Sequence, residues 1–176
     1  MTRVATAAIA LVFAIAAGWP ETARAQDLNP HEKTFLTFST PVELPELSLP
    51  AGTYTFKLAD TPGRNVVQVF SRDESKLHGQ FLFRQTERRD ASGETVVMFA
   101  ETAAGSTPAV KYWFYPNERI GKEFVYPKDQ AVKIAARTHQ PVLASEGDSI
   151  FTVDEKGNRV EDKRDGKPAT AQPPGK

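Results

Sequence analysis

Thr53-Tyr54-Thr55-Phe56-Lys57-Leu58 alternates polar and apolar side chains without a break. Successive side chains of an extended chain point to opposite faces. The stretch therefore reads as a β-strand with Tyr54, Phe56 and Leu58 toward a core and Thr53, Thr55 and Lys57 toward water. Pro50-Ala51-Gly52-Thr53 before it reads as a type II turn in which Gly52 supplies the positive φ. Thr61-Pro62-Gly63-Arg64 after it reads as a turn into a second strand, Val66 to Ser71, and predicts a hairpin.

The same period of two recurs outward from this hairpin. It marks strands at Thr34 to Ser39, part of Val42 to Leu49, Leu77 to Arg84, Thr95 to Glu101, Ala109 to Tyr115, Glu123 to Tyr126 and Ser149 to Val153. Turn formers separate them at Asp73-Glu74-Ser75, Asp90-Ala91-Ser92-Gly93, Ala104-Gly105-Ser106 and Pro116-Asn117-Glu118. One segment departs from the pattern. Pro127 to Thr138 has a proline where a first turn begins, Asp129 near its start, Lys133 and Arg137 near its end, and Ala131, Ile134 and Ala135 at helical spacing. The expected fold is mainly β: an antiparallel β-sandwich or barrel of about eight strands with one short C-terminal helix, halted by Pro141, that covers one open end.

Composition narrows the function classes. The 176 residues carry 22 Lys and Arg against 22 Asp and Glu, so the basic excess that a nucleic-acid binder needs is missing. With no Cys, the chain has no thiolate metal site, thiol nucleophile or disulfide framework.

The two ends separate from the β region by composition. Arg3 precedes an apolar run of 14 residues, Val4 to Ala17, which Gly18-Trp19-Pro20 breaks. A helix crossing a bilayer needs about 20 apolar residues, so the run reads as a secretory leader. The small residues of Ala23-Arg24-Ala25 place cleavage before Gln26, and no membrane span is expected in the mature chain. Losing Arg3, Arg24 and Glu21 leaves it a net charge of −1. At the other end, 154–176 hold 11 charges, no aromatic residue and only Val160, Ala169 and Ala171 as apolar residues. Such a stretch cannot offset its ordering entropy, so it reads as a disordered tail with a last turn at Lys156-Gly157-Asn158. The expected organisation is a leader over 1–25, a β domain over 26–153 and a tail over 154–176.

The runs LPAGTYTFKLAD at Leu49 to Asp60 and NVVQVFSRD at Asn65 to Asp73, with KYWFYP at Lys111 to Pro116 and GKEFVYP at Gly121 to Pro127, resemble an uncharacterised family of small exported bacterial β proteins. The resemblance spans most of the β domain. It implies export, to the periplasm or the exterior, and a β fold, and it brings no activity with it.

No catalytic constellation can be assembled from the sequence. His31, His78 and His139 are scattered, without HxH or HExxH spacing. A jelly roll could gather His78 and His139 with Glu101 or Glu123 around a metal, and Glu101 with Glu123 could form a glycosidase pair. No GxSxG elbow and no glycine-rich phosphate loop is present. Catalytic residues are therefore not assigned, and no cofactor or metal is expected.

The aromatic cluster is the leading candidate for a binding site. In Lys111 to Tyr115, strict alternation sets Val110, Tyr112 and Phe114 on one face and Lys111, Trp113 and Tyr115 on the other. If the Val110 face is core, the second presents flat rings beside a cation, a surface on which a sugar or peptide stacks, and Tyr126 extends it on the next strand; the alternative is a central strand beneath the helix with both faces buried. The function expected is an exported, non-catalytic binding or structural module with cell-envelope glycan, peptide or protein as partner. The alternative is a secreted hydrolase or metal-dependent jelly-roll enzyme.

Overall fold

The computed structural model describes residues 33–63, 65–100 and 105–160. Its elements are β1 (Lys33–Phe38), β2 (Val42–Leu44), β3 (Leu47–Leu49), β4 (Gly52–Leu58), β5 (Val66–Ser71), β6 (Leu77–Glu87), β7 (Val96–Ala100), β8 (Ala109–Phe114), β9 (Ile120–Phe124), β10 (Tyr126–Pro127), α1 (Lys128–Thr138), β11 (Val142–Glu146), β12 (Ser149–Val153) and β13 (Arg159–Val160). The chain is mainly β with one short helix, as the alternation and the Pro127 segment predict.

Nine strands form one sheet in the order β1-β4-β5-β6-β9-β8-β2-β3, with β7 on β8. Tyr112 of β8 registers with both Met98 of β7 and Glu123 of β9, so β7 and β9 take opposite edges of β8. The predicted β4–β5 hairpin forms with Phe56 opposite Val69. The 11-residue β6 is shared: Leu77 to Leu82 pair with β5, and Phe83 to Glu87 pair with β9. The sheet folds over along this strand, and Phe56 of β4 meets Trp113 of β8 edge to face at a centroid distance of 5.7 Å. The result is sandwich-like and curls toward a barrel without closing. Phe56, Val67, Val69, Val110, Trp113 and Phe124 lie at the centre of its core.

A second sheet, β10-β11-β12-β13, carries α1. Ala131, Ile134 and Ala135 form the buried stripe of the helix, Asp129 and Arg137 complement its dipole, and His139 ends it in the left-handed region at φ 52°. Strand β11 escapes the sequence reading because Val142, Leu143 and Ala144 are all buried. A strand covered on both faces has no alternation to detect.

Three local expectations are corrected. Thr55 is fully buried, not wet: Phe35 and Phe70 stand directly opposite it on the neighbouring strands, and its hydroxyl donates to the Arg72 carbonyl at 3.2 Å. Gly52 is not among the positive-φ residues. The left-handed residue nearby is Glu46, at φ 58°, which turns β2 into β3. Residues 154–160, which composition assigns to the tail, are structured: the Asp154 carboxylate accepts the N–H groups of Lys156 and Asn158, and Gly157 at φ 79° returns the chain to pair β13 with β12. Residues 1–32 and 161–176, which hold the predicted leader and the rest of the tail, lie outside the described residues.

Candidate functional site

The sequence singles out Lys111, Trp113, Tyr115 and Tyr126, and the structure does not bring them onto one exposed face. Trp113 is 0% exposed, and Tyr115 and Tyr126 are also buried. The cause is a β-bulge. Val110 registers with Phe99 and Tyr112 with Met98, so Lys111 is an extra residue on β8. An inserted residue reverses the side-chain phase beyond it. Trp113 therefore shares the inward face of Val110, and Lys111 turns aside to donate from Nζ to the Pro141 carbonyl at 3.1 Å.

The two rings do hold a cation, but it belongs to the chain itself. Lys122, opposite Trp113 on β9, is fully buried; its Nζ lies 4.0 Å from the Tyr115 ring centroid and 5.3 Å from that of Trp113, and it donates to Glu118 Oε2 at 3.2 Å. The aromatic pairing legible in the sequence is thus an internal cation site within the core.

Tyr126 acts as a bolt. Its hydroxyl is shared between the Val110 carbonyl at 2.7 Å and the Glu43 carbonyl at 3.1 Å, tying β10 to β8 and β2. Burial, followed by the nearby Glu43 carboxylate, raises its pKa well above the ordinary phenol value. Glu43 accepts from Gln130 Nε2 at 2.7 Å and from Arg137 Nη2, and Gln130 also bonds the Leu44 carbonyl and the Glu46 N–H. These contacts latch α1 to the β2–β3 turn. A polar cleft of about 500 Å³ opens beside the latch, but the charges of Glu43 and Arg137 are already spent on each other.

The described metal candidates are engaged separately. His78 packs against Tyr54 at 5.2 Å, His139 bonds Glu155 from the C-cap of α1, and the buried Glu123 pairs with Arg84 at 3.2 Å. Glu101 and His31 lie outside the described residues. Among those described, no three His, Asp or Glu side chains gather as a metal set.

The opening that the sequence reading missed lies between β1 and β7. Leu36, Phe38, Val97 and Phe99 line a cleft of about 360 Å³, with Thr37, Ser39, Thr40, Thr95, Val42 and Pro108 completing it. Not one of these side chains is charged, in a chain that is 25% charged. Leu36 and Phe38 share the inward face of β1, and Val97 and Phe99 register with the inward Trp113 and Val110. The Phe38 and Phe99 rings approach to 6.3 Å across the gap, yet Phe99 remains 37% exposed. Core-facing side chains meet solvent here because the sheet curls without closing. Unbroken apolar character in Val96 to Ala100 was the available signal, but it marks a buried strand equally well.

No helix among the described residues is long and apolar enough to cross a membrane. No family model, no curated protein and no solved structure matches the chain.

Proposed function

We propose that this protein is an exported, non-catalytic binding module of the cell envelope that recognises a peptide or protein segment at the cleft between β1 and β7. The observation that carries the reading is the uncharged cleft itself, where inward-facing Phe99 leaves apolar surface in contact with water. Exposed apolar surface on a strand edge is costly and aggregation-prone, and natural sheets usually blunt it with charge or proline. Strand β7 carries neither. Export rests on the leader-like pattern of residues 1–25 and is checked by mass mapping of the exported protein, which should begin at Gln26.

The binding reading is tested by retention on immobilised peptide and glycan fractions of the host envelope, comparing the native protein with Phe99→Glu. Position 99 is partly exposed, so the variant should keep the native far-ultraviolet spectrum while placing a charge in the cleft. Native protein should be retained on the peptide fraction and the variant should not. Equal retention of the two, or retention of neither, would remove the reading.

A further inference from the structure

We infer that the cleft accepts a β-strand from another polypeptide, inserted antiparallel to both β1 and β7, so that an eight-stranded barrel is completed. This inference rests on the cleft being the binding surface. It adds how the ligand is held and what chemistry the ligand has.

The inference follows from strand directions. From β1 the sheet runs through β4, β5, β6, β9 and β8 to β7, and every one of these pairings is antiparallel. Six reversals leave β1 and β7 pointing the same way. Among the described residues each is paired with a strand on one side only, and the other edge borders the cleft. Two codirectional edges separated by a gap cannot extend the antiparallel pattern by pairing with each other. One added strand of opposite direction satisfies both at once, and about eight strands is the number at which side chains just fill a barrel's interior. Adding an extended segment to a free sheet edge is an established mode of peptide recognition, with backbone bonds for affinity and alternate side chains for specificity.

The cleft also defines the occupant. β1 spans six residues and β7 five, so a segment of similar length is held. Its inward side chains would meet Leu36, Phe38, Val97 and Phe99 with no charge available to pair with, so they must be apolar. The rest of this chain supplies no such segment. Residues 26–32 contain Asp27, Pro30 and Glu32; residues 161–176 hold three prolines and no uncharged run of large apolar residues; residues 101–104 are too few to turn and lie beside β7. The apolar run Val4 to Ala17 departs with the leader on the export reading. A second folded copy is also excluded as the bridge, because its β1 and β7 each have one edge bound, to β4 and β8, and could not pair with both sides.

The test uses the exported protein and three end-blocked seven-residue peptides. One alternates Val and Thr, a second is the same peptide N-methylated at alternate amides, and the third has Lys in place of each Val. Backbone amide exchange is read in residues 33–38 and 96–100. The Val/Thr peptide should slow exchange in both segments by about tenfold or more, as ladder formation does; the other two should not, and Phe99→Glu should abolish the effect. If the methylated peptide protects equally, the cleft binds but not through a strand ladder, and the inference fails while the binding reading survives. Protection of only one segment overturns closure between the two. Protection that rises with protein concentration in the absence of peptide overturns the foreign strand in favour of self-association. No protection by any peptide overturns the inference outright, whatever the envelope retention shows.

Discussion

Single side chains here are decided by their cross-strand neighbours as much as by their own chemistry. Phe56 is fully buried against Trp113, so Phe56→Ala should cost about 3–5 kcal/mol, the usual range for emptying a buried aromatic site. Thr55→Ala should cost about 1 kcal/mol through the lost bond to Arg72, more than a wet-face threonine would. Urea melts of both variants check this, and an unchanged midpoint for Thr55→Ala would return Thr55 to the solvent face. Tyr126 supplies the pH dependence. Its folded pKa is raised, so the unfolded chain ionises first, near pH 10, while the folded phenol stays protonated. Its contribution is fully present below that pH and is lost as pH climbs through and beyond it. Stability should therefore fall more steeply above pH 10 in the native protein than in Tyr126→Phe, measured as the urea midpoint between pH 9 and 11.

Elements hold their places through two close contacts that can be broken singly. Between β8 and β9, a Cβ added to Gly121 would run into the Phe114 ring, and that ring is itself covered by the Arg88 guanidinium at 4.6 Å. Gly121→Ala must push that ring away and should destabilise by about 1–3 kcal/mol, as overpacking does; a thermal midpoint equal to native would refute the contact. The helix depends on Glu43. Removing its carboxylate in Glu43→Ala leaves Arg137 and Gln130 without their shared acceptor, an expected loss of about 1.5–3 kcal/mol for bonds to a charged group. Because the latch joins α1 to the β2–β3 turn, amide exchange should quicken in Lys128–Thr138 first, with β4 and β5 unaffected. Uniform acceleration across all elements would show that the latch belongs to the main core.

For the whole molecule, the curled and unclosed sheet predicts an uneven distribution of stability. Strands β4 and β5 are paired on both sides and should exchange their amides only through global unfolding. The cleft-facing amides of β1 and β7 should exchange through local opening, faster by several orders of magnitude in the free protein. Exchange mass spectrometry decides this: equal protection of β7 and β5 would mean that the edge is already covered.

What the sequence by itself determined is the class of fold and most of its strands. The alternation in Thr53 to Leu58 and the helical spacing after Pro127 are local consequences of backbone geometry, and local patterns survive into the folded chain. The β4–β5 hairpin was legible for the same reason. Three things were decided only by tertiary structure. The extra residue at Lys111 reversed the phase of β8, and periodicity cannot reveal a bulge before the partner strand is known. Thr55 was buried by Phe35 and Phe70, neighbours supplied by register. The cleft between β1 and β7 depends on the order and direction of seven strands. Its residues have the same apolar character as the core, and only the failure of the two edges to meet leaves them open to a partner.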